Sequence, residues 1–188
     1  MGFFGWWKRA SSSDAKVHEW RREWAAAAEC PSPEQIQRLA GRLEELGLSD
    51  DDVEIEREML EALVRVADLA ASVDGRGLPV VETGHRIARS DLCHFIAPAW
   101  MPVDPGQPAG RLLLTSARAA FAGGAGSRTV PWHAVGEARY QERDLVLIRA
   151  DRETAYRFRC NSYGDALCAA FVARRCIELR GGARRTRI

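Results

Sequence analysis

Five cysteines and four histidines are the side chains of this 188-residue sequence that chemistry would recruit first. Cys30, Cys93, Cys160, Cys168 and Cys176 are odd in number, irregular in spacing and contain no CxxC pair. Neither a zinc ribbon nor a thioredoxin-like site can be built from them. An odd count suits reduced thiols in a reducing compartment, packed as small hydrophobes. Cys93 and His94 are neighbours, yet successive residues on a strand face opposite ways, so they are not expected to pair as nucleophile and base. His18, His85 and His133 are scattered. The expectation is a protein without catalytic, metal or cofactor-binding residues, and a thiol-dependent enzyme is the weaker alternative.

Four further stretches could carry function. Gly123-Gly124-Ala125-Gly126 is glycine-rich like a phosphate cradle, but lacks the Gly-Lys-Ser/Thr ending and a helix to follow, so it reads as a hairpin connection. Asp50-Asp51-Asp52 has no second oxygen cluster at calcium-loop spacing and reads as the acidic first turn of a helix. The segment Phe3-Phe4-Gly5-Trp6-Trp7-Lys8-Arg9 sets aromatics beside cations. That composition suits a membrane interface, or docking on a groove of its own chain or of a partner, and docking is favoured. Arg184, Arg185 and Arg187 in the last residues resemble arginine-glycine contacts to nucleic acid, but no recognition helix or stacking platform accompanies them. A solvated tail, or a partner for the acidic helix face of Glu54 to Glu61, is preferred, and nucleic acid is not the expected partner. Phe3, Phe4, Trp6, Trp7, Arg184, Arg185 and Arg187 are therefore the candidate interaction residues.

Composition fits a soluble globular chain, 46% apolar and 28% charged. No run of 18 apolar residues occurs, residues 1–9 are too short for a secretory signal, and Trp6 stands where N-myristoylation needs Ser or Thr. A cytoplasmic location is expected, with peripheral membrane contact as its variant. The net charge of +1 hides an asymmetry: residues 1–74 carry 9 basic and 16 acidic side chains, and residues 75–188 carry 18 and 10. The halves should attract each other, or a second copy, at long range.

The elements that position these residues divide at about 76. Before it, three helices are expected. The first spans 14–29, with Asp14 as N-cap and Val17, Trp20, Trp24 and Ala27 or Ala28 on one face. Ser32-Pro33-Glu34-Gln35 is a capping box opening the second, whose stripe is Ile36, Leu39, Ala40, Leu43 and Leu46, with Gly47 as its C-terminal glycine. Ser49 to Asp52 open the third, lasting to about 72. It turns Met59, Leu63, Val66, Ala70 and Val73 inward and keeps Glu54, Glu56, Glu58 and Glu61 as a solvated face.

After Gly77 the apolar period changes from 3.6 to 2. Strands are expected at 92–99, 110–115, 118–122, 127–131, 135–142, 145–150 and 155–160, with a proline-rich loop at 101–109. Seven short strands with no helix between them point to a barrel or packed sheets. Ser162 and Asp165 cap a last helix burying Leu167, Cys168, Phe171, Val172 and Ile177.

The run Gly110-Arg111-Leu112-Leu113-Leu114-Thr115-Ser116-Ala117-Arg118-Ala119-Ala120-Phe121, followed by Gly123-Gly124 and Thr129-Val130-Pro131-Trp132, resembles the signature hairpin of bacterial PH-like and GRAM-like domains. The likeness covers about 90 residues, 91–180. It implies a PH-like seven-stranded antiparallel barrel capped by a C-terminal helix, and with the three-helix segment read before it, which the likeness does not cover, the expected fold class is α+β. In domains, this is an aromatic and basic segment (1–13), a helical segment (14–76), the barrel with its helix (77–180) and a basic tail (181–188). It also implies binding of lipid or protein in place of chemistry. Lipid-reading members carry Lys and Arg in the loop joining the first two strands, because phosphate needs charged donors. Loop 101–109 holds Asp104 and no cation, so phosphoinositide is not expected. The expected function is a non-enzymatic binding or scaffold protein, whose partner is another protein or its own copy.

Overall fold

The computed structural model describes residues 4–86, 91–124, 126–151 and 155–185, with only the backbone described for 4–13 and 181–185. The chain forms two compact units, Met1–Ala67 and Asp68–Ile188.

The first unit holds α1 (Phe4–Glu29), α2 (Pro33–Glu45), a 3-10 turn (Asp51–Val53) and the start of α3 (Glu54–Arg76), within which the unit boundary falls. Of the face expected for α1, Trp20, Trp24, Ala27 and Ala28 are buried and Val17 only partly so. The Trp20 indole N–H donates to the Leu39 carbonyl (2.9 Å), and that of Trp24 donates to the Met59 carbonyl (2.6 Å). Each ring thus buries its area without stranding its polar edge. Asp14 is not the N-cap: α1 starts ten residues earlier, at Phe4, and Asp14 lies exposed inside it. Three serines before Asp14 weaken a helix only slightly, and no proline ends it there.

The second helix opens as its capping box requires. The Gln35 amide donates to Ser32 Oγ at 3.3 Å and the Ser32 amide to Gln35 Oε1 at 3.0 Å. Gly47 ends it with φ of +61°, a conformation that suits glycine. The acidic face expected on α3 needs correction at Glu56, which is 1% exposed and bound by Arg21 of α1 at 2.6 Å. A carboxylate can be buried when a guanidinium takes over its lost hydration, and here the partner comes from another helix. Asp51 and Asp52 lie in the 3-10 turn, and Ser49 Oγ donates to Asp52 at 2.6 Å.

The second unit contains seven strands: β1 (Cys93–Trp100), β2 (Ala109–Thr115), β3 (Arg118–Gly123), β4 (Gly126–Pro131), β5 (Val135–Gln141), β6 (Asp144–Arg149) and β7 (Ala155–Cys160), followed by α4 (Tyr163–Arg185). They hydrogen-bond antiparallel in the order β4-β3-β2-β1-β7-β6-β5. The pivot is β1, which pairs with β2 along its length and with β7 only through Ala99 and Trp100. One strand thereby serves two half-sheets, and the rings of Phe121 and Phe158 stack 6.2 Å apart. The fold is α+β, with helices first and then a PH-like seven-stranded barrel capped by its terminal helix.

The hairpin that carries the resemblance has local physical causes. Thr115 is fully buried; its hydroxyl donates to the Arg118 carbonyl (2.9 Å) and accepts from the Arg118 amide (3.1 Å), closing the β2–β3 turn. The Thr115 carbonyl accepts the Trp132 indole N–H at 2.7 Å. Gly110 is demanded by closeness: a Cβ there would lie 2.2 Å from the Ala122 carbonyl oxygen.

Helix α4 starts where expected, with the Asp165 amide donating to Ser162 Oγ at 3.0 Å. Its buried face differs in composition. Leu167, Cys168 and Val172 are buried, but Phe171 and Ile177 are only partly so. The rest of that face is Ala166, Ala169, Ala170, Ala173 and Cys176, small side chains that let the helix lie close to the sheet.

Candidate interaction surfaces

The candidate residues at the chain ends fall outside what can be described. Phe3 and Arg187 lie beyond the described residues. Phe4, Trp6 and Trp7 belong to α1 and Arg184 and Arg185 to α4, where the backbone alone is described. Helix α4 runs on through Gly181 and Gly182 to Arg185.

The loop between β1 and β2, where a lipid phosphate would need cations, offers Asp104. That carboxylate is bound by Arg128 of β4, at 3.0 Å. A cation does approach the loop, but it arrives already paired. Other arginines of this unit are engaged likewise. Arg118 meets Asp91 at 2.9 Å, Arg149 meets Asp151 at 3.1 Å, and Arg175 meets Asp74 at 3.0 Å. Asp144, which has no exposed surface, takes both Arg157 (3.2 Å) and Arg159 (3.0 Å). The hydrogen bond to this carboxylate holds the Arg159 guanidinium above its ordinary range, against the opposing effect of burial. These arginines are thus each paired with a carboxylate, not gathered as a phosphate clamp.

Gly123 and Gly126 face each other across the β3–β4 turn, as the hairpin reading expects. Four of the five thiols are buried and Cys30 is exposed. Burial raises the Cys93 thiol and pushes those of Cys160 and Cys176 up to about 12. These groups stay protonated at neutral pH, unlike a nucleophilic thiolate. Cys93 Sγ donates to the Phe95 carbonyl at 3.3 Å. His94 Nδ1 lies 2.8 Å from the Pro79 carbonyl, an acceptor, so Nδ1 carries the proton. Both side chains are buried because the ladder is irregular between Cys93 and Phe95, which breaks the alternation expected of them. Among the described residues no cluster of three or more His, Cys, Asp or Glu could hold a metal.

A further surface was not visible in the sequence. Residues 78–85 are neither helix nor strand and Arg86 is 3-10 helical, yet from Pro79 the exposure of this segment alternates: Pro79, Val81, Thr83 and His85 are partly buried, and Val80, Glu82, Gly84 and Arg86 are exposed. From this segment Val81 packs, with Ile96 and Ala122, against a buried cluster of Cys93, Leu113 and Ala120. The Val81 amide donates to the Cys93 carbonyl at 2.7 Å. His85 reaches a shallow cleft of about 420 Å³ beside Arg111, Ala122, Gly124 and Ser127.

No family model matches this sequence, and no curated protein matches it. Solved structures resemble it at low identity. The FERM and C-terminal domain complex of Drosophila Merlin aligns at 10% identity and a TM-score of 0.43, over 49% of this chain and 31% of that one. The DH/PH domains of p115-RhoGEF align at 6% identity and 0.41, over 89% of this chain and 56% of that one. A Vav1 structure aligns at 11% identity and 0.38, over 84% and 45%. This chain therefore spans less than two thirds of each of these structures. The fold assignment stands on the strand order and the capping helix themselves.

Proposed function

We propose that this protein is a non-enzymatic binding module that engages another protein, or a second copy of itself. The observation that carries this reading is the Asp104–Arg128 pair at the β1–β2 loop: a cation that reaches the loop where a headgroup phosphate would bind is already paired with a carboxylate. The protonated, buried thiols support the non-enzymatic part. A second reading, peripheral membrane contact, rests on Phe3, Phe4, Trp6 and Trp7 beside Lys8 and Arg9. No described helix is long and apolar enough to cross a membrane.

Sedimentation with vesicles separates these readings. The expected result is no pelleting that depends on phosphoinositide, and equal pelleting with and without residues 1–9. Phosphoinositide-dependent pelleting would overturn the protein-binding reading, and pelleting lost with residues 1–9 would favour the membrane one.

A further inference from the structure

Residues 78–86 meet the barrel as a bound peptide would. The face of β1, β2 and β3 beneath them is apolar and fully covered at Leu113 and Ala120. Covering residues alternate in and out with the period of two of an extended chain. Among the described residues, the segment's contacts to the sheet include the Val81 amide on the Cys93 carbonyl, the Pro79 carbonyl on the His94 ring, and the Val81 side chain against the apolar cluster. The outward residues include Val80, which is 61% exposed.

We propose that the outer face of β1–β2–β3 is a peptide-docking site that residues 78–86 occupy in cis, and that a partner protein displaces them. The proposal rests on the protein-binding reading above and names the partner's chemistry. It is an extended segment with small apolar residues at alternate positions, as at Pro79 and Val81, and a polar residue at the cleft that His85 lines together with Arg111 and Ser127. The strap itself defines what fits. As a tethered competitor it acts at high effective concentration, so the site binds a free partner weakly until the strap is loosened.

The probe is a fluorescent peptide with the sequence of residues 78–86, added to the full-length protein. Val81→Asp places a charge against the apolar face and releases the strap, and Val81→Ser does so more mildly. Freeing the site should tighten the apparent Kd by about tenfold or more over the unaltered chain, because affinity scales with the fraction of open sites. A scrambled peptide should not bind, and adding Ala122→Glu on the docking face should abolish the gain. Well-folded variants that bind the peptide no better than the unaltered chain overturn the proposal. Loss of folding in both variants overturns it too, since a strap the barrel cannot release is not displaceable. If the peptide fails while vesicle sedimentation still shows no phosphoinositide-dependent pelleting, the docking site falls and the protein-binding reading survives.

Discussion

Asp144 and Glu56 are buried carboxylates to which the amino-acid pattern assigned no buried role. Alternation places the apolar part of β6 from Leu145, and helical spacing puts Glu56 among solvated glutamates. Both readings fail because periodicity describes one element at a time, whereas the deciding partners, Arg157 and Arg159 for one and Arg21 for the other, come from other elements. Energies follow from this difference in burial. Replacing Arg159 with Met removes charged hydrogen bonds to a buried acceptor and should cost about 2 kcal/mol in urea unfolding. The same change at Arg149, whose partner Asp151 is exposed, should cost less than about 1 kcal/mol. Equal losses would refute the distinction.

The buried thiols supply a pH dependence. With native thiols pushed up to about 12 at Cys160 and Cys176, against an ordinary value of 9.0, the unfolded chain releases these protons first. Above pH 9 the unfolded state therefore binds fewer protons, and stability falls as pH rises from 9 toward 12. Replacing both cysteines with Ala should flatten that part of a stability-against-pH curve. An unchanged slope would remove these thiols as its cause.

At the scale of elements, much was legible. Strand bounds agree within one or two residues, because alternation, glycine and proline mark them locally. The start of α1 was hidden, since Asp14 resembles a cap whether or not a helix already runs through it. Residues 78–86 were hidden more completely. Their Leu-Pro-Val-Val-Glu-Thr-Gly-His pattern has too few apolar residues to announce a strand, and their order comes from the sheet they cover. One element-level requirement gives a sharp contrast. Gly110→Ala would drive a methyl into the Ala122 carbonyl and should cost about 3 kcal/mol by overpacking. Gly124→Ala, with no atom within 4 Å of its new Cβ, should leave thermal unfolding nearly unchanged. Similar losses at the two positions would show that the β2–β3 approach is not the constraint.

For the whole molecule, the near-zero net charge conceals two units of opposite sign. Residues 1–67 carry 9 basic and 14 acidic side chains, and residues 68–188 carry 18 and 12. Self-association steered by this asymmetry should weaken with salt. Raising ionic strength from about 0.01 M to 1 M shortens the screening length from roughly 30 Å to 3 Å. The associated fraction in sedimentation velocity should drop accordingly, and a salt-independent fraction would assign the contact to apolar surface instead. This asymmetry was readable directly from composition. Which arginines remain uncommitted was not, because pairing is set by the barrel's cross-strand neighbours.

The two indole bonds of the first unit bear on how this chain could diverge. Trp20 and Trp24 address main-chain carbonyls, and every residue that can occupy position 39 or 59 brings a carbonyl with it. Substitutions along α2 and α3 can therefore accumulate without deleting either bond. The dependence concentrates on two tryptophans of one helix, which become the least replaceable letters of that unit while their counterparts are free to drift.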